Sequence, residues 1–164
     1  MLQFSRETPF ELRRLDLGSL LREAADLVRV PFQTAEVDLV LDASVPLDVI
    51  VKGSSNHLLQ VLINILINAK DASVARSIVE LSCSHNGHEV MLEVRDHGHG
   101  IDPKLLEKVF DPFFTTKDVD KGTGLGLAIS HGIVERHHGR IEVESELDRG
   151  TCFRIVLPCS LPDA

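Results

Sequence analysis

The chain has no tryptophan and no tyrosine, and only seven phenylalanines. A core built from it must be aliphatic, with phenylalanine at a few places. Hydrophobic residues still fill 43% of the 164 positions, an ordinary share for a globular domain and enough to bury a core. Cysteine is scarce: Cys83, Cys152 and Cys159 are odd in number and form no C-x-x-C pair. They are expected to be reduced, partly buried thiols of a cytoplasmic protein, with a disulfide between two of them as the alternative. No long apolar run is present. The longest stretch, Leu58 to Ala69, is broken by Gln60, Asn64 and Asn68, too short and too polar to span a bilayer. Met1 to Arg14 mixes charges with single apolar residues and does not read as a signal peptide. Basic charge is also in deficit, with 17 Lys and Arg against 25 Asp and Glu and a net charge of −8. That balance excludes a general nucleic-acid surface, because phosphate backbones recruit basic patches. It leaves room for one bound nucleotide, which needs only local positive potential.

What is present reads as alternating helices and strands. Residues 1–15 show no clear period and look like the tail of something upstream. Leu17 to Val30 reads as an amphipathic helix, with Leu17, Leu20, Leu21, Ala24, Leu27 and Val28 on one face and Pro31 as its stop. Val37 to Leu41 and Val49 to Val51 read as short strands. Ser54 or Ser55 is placed to cap a helix over Asn56 to Ala72. Strands over Ser77 to Ser84 and Glu89 to Asp96 follow, joined by Asn86-Gly87, a strong hairpin signal. A short helix near Pro103 to Val109 leads into Asp111 to Gly126, a long loop rich in turn formers, of the kind that is usually functional. Leu125 to His138 reads as a helix stopped by Gly139. Arg140 to Glu146 and Thr151 to Leu157 close the chain as a second hairpin. Antiparallel pairs with helices between them predict an α+β fold, a two-layer α/β sandwich with a mixed, mostly antiparallel sheet and helices on one face.

Four segments carry chemistry. On the helix over Asn56 to Ala72, Gln60, Asn64 and Asn68 are four apart, so three amides form one stripe among Leu, Ile, Val and Ala. Asparagine is a poor helix-interior residue and is costly to bury unpaired. Either the stripe faces a ligand, its carbonyls suiting a hard cation such as Mg²⁺, or it is a buried amide network. The second segment, Asp96-His97-Gly98-His99-Gly100, follows a strand. The carboxylate can accept from an exocyclic amino group, and the glycines allow close backbone approach. A plain Asp-initiated turn reads the same residues. The third, Gly122-Thr123-Gly124-Leu125-Gly126-Leu127, runs into a helix, where successive N–H groups and the helix dipole can hold an anion. It fits neither G-x-x-x-x-G-K-[ST] nor G-x-G-x-x-G. A mobile glycine linker is the alternative. Between the last two lies Phe110-Asp111-Pro112-Phe113-Phe114-Thr115-Thr116-Lys117. An apolar plug beside a polar loop is what a hinged lid needs, and also what an ordinary satellite cluster looks like. Lys117 and Lys121 are in reach of phosphate oxygens there.

Taken in order, these segments resemble the N, G1, F and G2 boxes of the histidine kinase catalytic domain, part of the superfamily that includes gyrase, the heat-shock chaperone ATPase and the mismatch-repair ATPases. The resemblance covers about residues 15–158 and implies the Bergerat-type fold, with ATP and Mg²⁺ as cofactors. It implies Asn68 as the Mg²⁺ ligand and Asn64 beside it, at the metal and phosphates. Asp96 takes the adenine amino group, and Gly98 and Gly100 let base and lid approach. Ile101 and Phe110 border the same site. Thr116 and Lys117 belong to the lid, with Lys117 on phosphate. Gly122, Thr123, Gly124, Leu125, Gly126 and Leu127 form the flexible phosphate nest. Two departures matter. Hydrolysing members carry a glutamate on the N-box helix, where this chain has Asn64. An amide cannot take a proton from water, so positioning of the γ-phosphate for an external nucleophile is the chemistry left. Asp71 stands at the edge of the site where many members have lysine, which removes one possible phosphate contact.

The resemblance further implies a dimerising helical hairpin bearing the acceptor histidine. No histidine here has an H-[ED]-x-x-x-P setting: His88 precedes Glu89, but Glu93 holds the proline position. His137 and His138 stand near a helix C-terminus, where cations are favoured, and not in a metal-binding spacing. Residues 1–14 are therefore expected to be the remnant of the upstream dimerisation helix and linker, with Leu2 to Arg6 as its last turn, and residues 15–160 the ATP-binding domain. The expected partners are the histidine-phosphotransfer domain of the same kinase and, beyond it, a response regulator. The isolated domain is expected to be monomeric, to touch neither membrane nor nucleic acid, and not to phosphorylate itself. The alternatives are a serine kinase of the anti-sigma-factor type and a regulatory nucleotide-binding module.

Overall fold

The structure is a computed structural model that describes residues 10–42, 49–114 and 126–159. Strand β1 (Arg13–Asp16) pairs antiparallel with β3 (Ile50–Gly53) as a two-stranded ribbon. The main sheet has five strands in the order β2-β4-β5-β7-β6. They are β2 (Asp38–Leu41), β4 (Ile78–His85), β5 (Glu89–Asp96), β6 (Arg140–Glu146) and β7 (Gly150–Pro158). β2 runs parallel to β4, and every other neighbouring pair is antiparallel. The helices are α1 (Leu17–Leu27), α2 (Arg29–Thr34), α3 (Ser55–Ala72) and α4 (Gly126–Arg136). α3 lies on β4, β5 and β7, with α1 and α4 beside it and α4 also on β6. The α+β sandwich read from the element order is the observed architecture.

The period of each strand decides which side the core takes. In β5, Val90, Leu92, Val94 and Asp96 are buried while their neighbours are not fully so. Val79, Leu81 and Cys83 of β4 and Phe153, Ile155 and Leu157 of β7 complete that face. α3 meets it with Leu58, Leu62, Ile65, Leu66 and Ala69, and α1 joins with Leu17, Leu21 and Ala24. The core is aliphatic, as the missing Trp and Tyr require. The outer face holds ions instead, with Arg154 between Glu93 and Glu142.

Several local expectations change. Arg13–Asp16, where no period is visible in the sequence, is a strand. Asp16 then caps α1, its Oδ1 accepting from Gly18 N at 3.0 Å. Pro31 does not stop the helical run. α1 ends at Leu27, and Pro31 occupies the first turn of α2, where a missing N–H costs nothing. The short helix near Pro103 to Val109 is a single 3-10 turn, Leu106–Lys108. At the end of α4 the left-handed residue is His138, with φ 62°, and not Gly139. Gly139 is needed for space: a Cβ there would lie 2.2 Å from Val156 O. The hairpin turn at Asn86-Gly87 forms as read, with Gly87 at φ 93° and Asn86 Oδ1 accepting from the N–H of His88 and Glu89. Cys83 and Cys152 are buried, and all three cysteines are free thiols. Burial, then the neighbouring Cys159, pushes the Cys83 thiol up to about 12. The segment Leu2 to Arg6 lies outside the described residues.

Candidate functional site

The site is built on one row of the sheet and the two helices above it. Val79 faces Asp96, and Arg95 faces Cys152, which sets Asp96 beside Thr151; Thr151 in turn faces Ser145. Asp96 and Thr151 point to the helix side and are only 3% and 5% exposed. Asp96 Oδ1 accepts two backbone N–H bonds, from Gly98 at 2.9 Å and Thr151 at 3.2 Å. Its Oδ2 accepts none among the described residues. Burial raises the Asp96 pKa, opposed by those two N–H groups and by His99 and His97. The bond from Gly98 is the Asp-initiated turn that the segment also reads as; the Thr151 bond on the same oxygen leaves Oδ2 with room to accept a further donor.

The glycines of this segment serve the protein's own backbone first. A Cβ on Gly98 would sit 1.9 Å from Ala72 O, the last residue of α3. Gly100 has φ 72°, and a Cβ there would meet Glu146 O at 2.1 Å. His99 N donates to Ala72 O, and Asp148 N donates to His99 O. The loop after β5 is thereby clamped between the end of α3 and the β6–β7 turn. Ile101, half-buried, donates its N–H to Ser145 Oγ at 2.7 Å.

On α3 the amide stripe is neither core nor fully open. Gln60, Asn64 and Asn68 are half-buried while Val61, Leu62, Ile65 and Leu66 beside them are buried. The stripe thus lies at the edge of the core, and Asn64 makes part of the polar network read as the alternative. Asn64 Nδ2 reaches Gly126 O and Ser130 Oγ of α4, both at 3.4 Å, the long end of hydrogen bonding. Its Oδ1 accepts nothing among the described residues. Asp71 is exposed and pairs with Lys70 at 3.0 Å. Gly126 opens α4, and Leu127 packs against the core. Phe110 seats the root of the long loop, its ring 5.3 Å from that of His131 on α4 and 6.4 Å from Phe153 on β7. Phe113 does not join it: it is 73% exposed at φ 66°. Thr115, Thr116, Lys117, Lys121, Gly122, Thr123, Gly124 and Leu125 lie outside the described residues.

Behind the site, His137 ties α4 to the start of α3. It is 2% exposed; Nδ1 bonds Ile133 O at 2.8 Å and Nε2 accepts from Ser54 N at 2.9 Å. Both bonds together require the neutral Nδ1–H tautomer. Burial lowers its pKa accordingly. Ser54, whose N–H is thus occupied, uses its hydroxyl on His57 Nδ1 at 2.6 Å and not as a helix cap.

A buried carboxylate bonded through one oxygen, Asn64 facing a second helix, and Phe110 against His131 and Phe153 are what the described residues show of the site, and the chain that builds it has relatives. Residues 53–161 match the family of histidine kinase-, DNA gyrase B- and HSP90-like ATPases. The catalytic domain of histidine kinase ThkA, in a nucleotide-free form, superposes with a TM-score of 0.81 at 32% identity, over 90% of this chain and 95% of that one. The chain belongs to the histidine kinase catalytic-domain family. The sensor histidine kinase ZraS of Escherichia coli K12 is 35% identical over 98% of the chain. Full-length ShkA, in complex with AMPPNP, matches with a TM-score of 0.83 at 29% identity over 95% of the chain. The chain spans about a third of each, 34% of ZraS and 33% of ShkA. As a histidine kinase catalytic domain it is an ATP-binding ATPase-fold module. Among its described residues no helix is long and apolar enough to cross a membrane.

Two residues of the site escaped the reading of the sequence, Ser145 and Thr151. Each is a hydroxyl in the core phase of a strand: Ser145 follows Ile141 and Val143, and Thr151 precedes Phe153 and Ile155. A polar residue in the apolar phase at a strand end was the available signal.

Proposed function

We propose that this domain holds Mg·ATP between the Asp96 row and the α3–α4 pair, and presents the γ-phosphate to a histidine on a separate dimerisation domain of the same kinase. The observation that carries the base site is the open Oδ2 of buried Asp96, fixed by two backbone N–H bonds on Oδ1. It accepts from the 6-amino group of adenine. Asn64 and Asn68 offer amide oxygens, the donor type a hard cation takes, and both fit Mg²⁺. When bound, the metal would supply positive charge that offsets the charge of the phosphates. Lys117 and the Gly122–Leu127 segment complete the phosphate side, with Thr116 at the lid.

Asn64 decides between hydrolysis and transfer. It carries no proton-accepting group, so no water is activated at that position. The γ-phosphate waits for a nucleophile delivered from outside. Residues 1–14 are the link to the dimerisation domain, and a response regulator receives the phosphoryl group afterwards. The domain works at the cytoplasmic side, where ATP is, whether or not the whole protein is anchored in a membrane.

The test is a titration with AMPPNP with and without Mg²⁺, followed by a transfer reaction. Labelled ATP, this domain and a dimerisation domain from a related kinase are mixed. Saturable one-site binding that weakens without Mg²⁺, and acid-labile label on the added domain, are expected. Acid-stable label points to a serine kinase. Absence of nucleotide binding by the folded domain removes the proposal.

A further inference from the structure

We infer that Ser145 is a positioning residue that fixes the polarity of the base pocket, and so sets its preference for a 6-amino over a 6-oxo purine. The inference rests on the nucleotide-site reading above. Ser145 Oγ has three neighbours: Ile101 N at 2.7 Å, Gly150 O at 3.1 Å and Thr151 Oγ1 at 2.7 Å. A hydroxyl has one proton and two lone pairs. The amide of Ile101 can only donate, and the carbonyl of Gly150 can only accept. Ser145 accepts from Ile101, and giving its single proton to Gly150 is the one assignment in which all three contacts are hydrogen bonds. The remaining contact closes only if Thr151 donates to Ser145.

Thr151 has then spent its proton. Its hydroxyl oxygen is left as an acceptor, one strand over from Asp96, and its backbone N–H is already bound to Asp96 Oδ1. Asp96 Oδ2 and Thr151 Oγ1, on neighbouring strands and both on the helix side of the sheet, then present acceptors only. An amino group, directly or through one water, satisfies such a pair. An oxo group meets lone pairs with lone pairs, and a buried polar group left unpaired is the costly case. Asp96 alone makes half of this discrimination, because a free Thr151 hydroxyl could turn its proton toward an oxo group. Ser145 denies it that choice from outside the pocket. The same hydroxyl fixes Ile101, so base-loop position and pocket polarity depend on one atom.

The test is calorimetric titration of the chain with AMPPNP and with GMPPNP, in saturating Mg²⁺, for the wild type and for Ser145→Ala, Ser145→Thr and Thr151→Val. Thermal unfolding checks that each is folded. Ser145→Ala is expected to weaken AMPPNP and narrow the ratio of the two affinities by about five- to tenfold, the worth of one hydrogen bond. Ser145→Thr, which keeps the hydroxyl, restores the ratio. Thr151→Val, which leaves the Ser145 hydroxyl on Ile101 and Gly150, narrows it too and covers the case in which Ser145→Ala does not fold. A ratio unchanged in folded Ser145→Ala or Thr151→Val overturns the inference while the nucleotide site stands. Failure of wild-type chain to bind AMPPNP overturns both.

Discussion

Replacing Asp96 by asparagine separates the role of its charge from that of its shape. The Asp96→Asn variant keeps a carbonyl oxygen where Oδ1 accepts from Gly98 and Thr151 at 2.9 and 3.2 Å. What changes is the second position, where an NH₂ donor replaces the open acceptor. A hydrogen bond to a charged acceptor is worth about 1.5–3 kcal/mol, or roughly 10- to 100-fold in affinity. Two amino groups now face each other, so the loss for AMPPNP is expected at the upper end. Folding stability should move far less, because both backbone bonds survive. Its pH dependence carries a further sign. Burial raises the Asp96 pKa in the folded protein, so the protonated acid is favoured by folding. That stabilisation is present below the ordinary carboxylate value and is lost as pH rises through the raised value. The Asp96→Asn variant lacks this loss, so its stability should gain on the wild type from acid toward neutral pH. Calorimetry reads the first effect, and urea unfolding at several pH values the second. A folded variant that binds AMPPNP as tightly as the wild type would refute the account of Asp96.

Other outcomes follow from the same geometry. His137 and His57 both have lowered pKa values through burial, with Arg136 adding to it at each. Stability should be full above the ordinary histidine value and fall as pH drops through it toward the lowered values; urea midpoints at about pH 7.5 and 5.5, on either side of that value, show this. His137→Ala should flatten the dependence and cost about 1–3 kcal/mol at neutral pH, because Ser54 N–H loses its acceptor. Two glycine substitutions should part sharply. Gly98→Ala drives a Cβ to 1.9 Å from backbone and should prevent stable folding, while Gly132→Ala, with nothing within 4 Å, should stabilise α4 by about 0.5–1 kcal/mol. Thermal unfolding of the pair decides it. Asn64→Glu introduces the base that the N-box helix lacks and should raise phosphate release from ATP; unchanged release with nucleotide still bound contradicts the role assigned to Asn64.

The helices and strands were largely legible because local period and turn chemistry set them. Glu89–Asp96 begins and ends where its alternation does, and Asn86-Gly87 turns where its residues demand. The stripe of Asn64 and Asn68 and the segment from Asp96 to Gly100 were visible for a similar reason: residue types that are costly in their local setting stand out in a line of text. Local pattern failed where packing decided. Arg13–Asp16 has no period of its own and becomes a strand because β3 offers its edge. Pro31 ends a helix by propensity, yet it fits a first turn once the chain has bent at Val28. The glycines at 98 and 100 read as room for a ligand and Gly139 as a helix stop, but each also makes room for a distant backbone oxygen that no local window contains. The same holds for the site. Residues 96, 145 and 151 meet because β5, β7 and β6 are neighbours in space. Sequence by itself determined the local elements and the residues that stand out in them. Which partners those residues meet, Ser145 for Thr151 and Ile133 and Ser54 for His137, is set by the folded sheet and helices, because only they bring positions distant in the chain within hydrogen-bond reach.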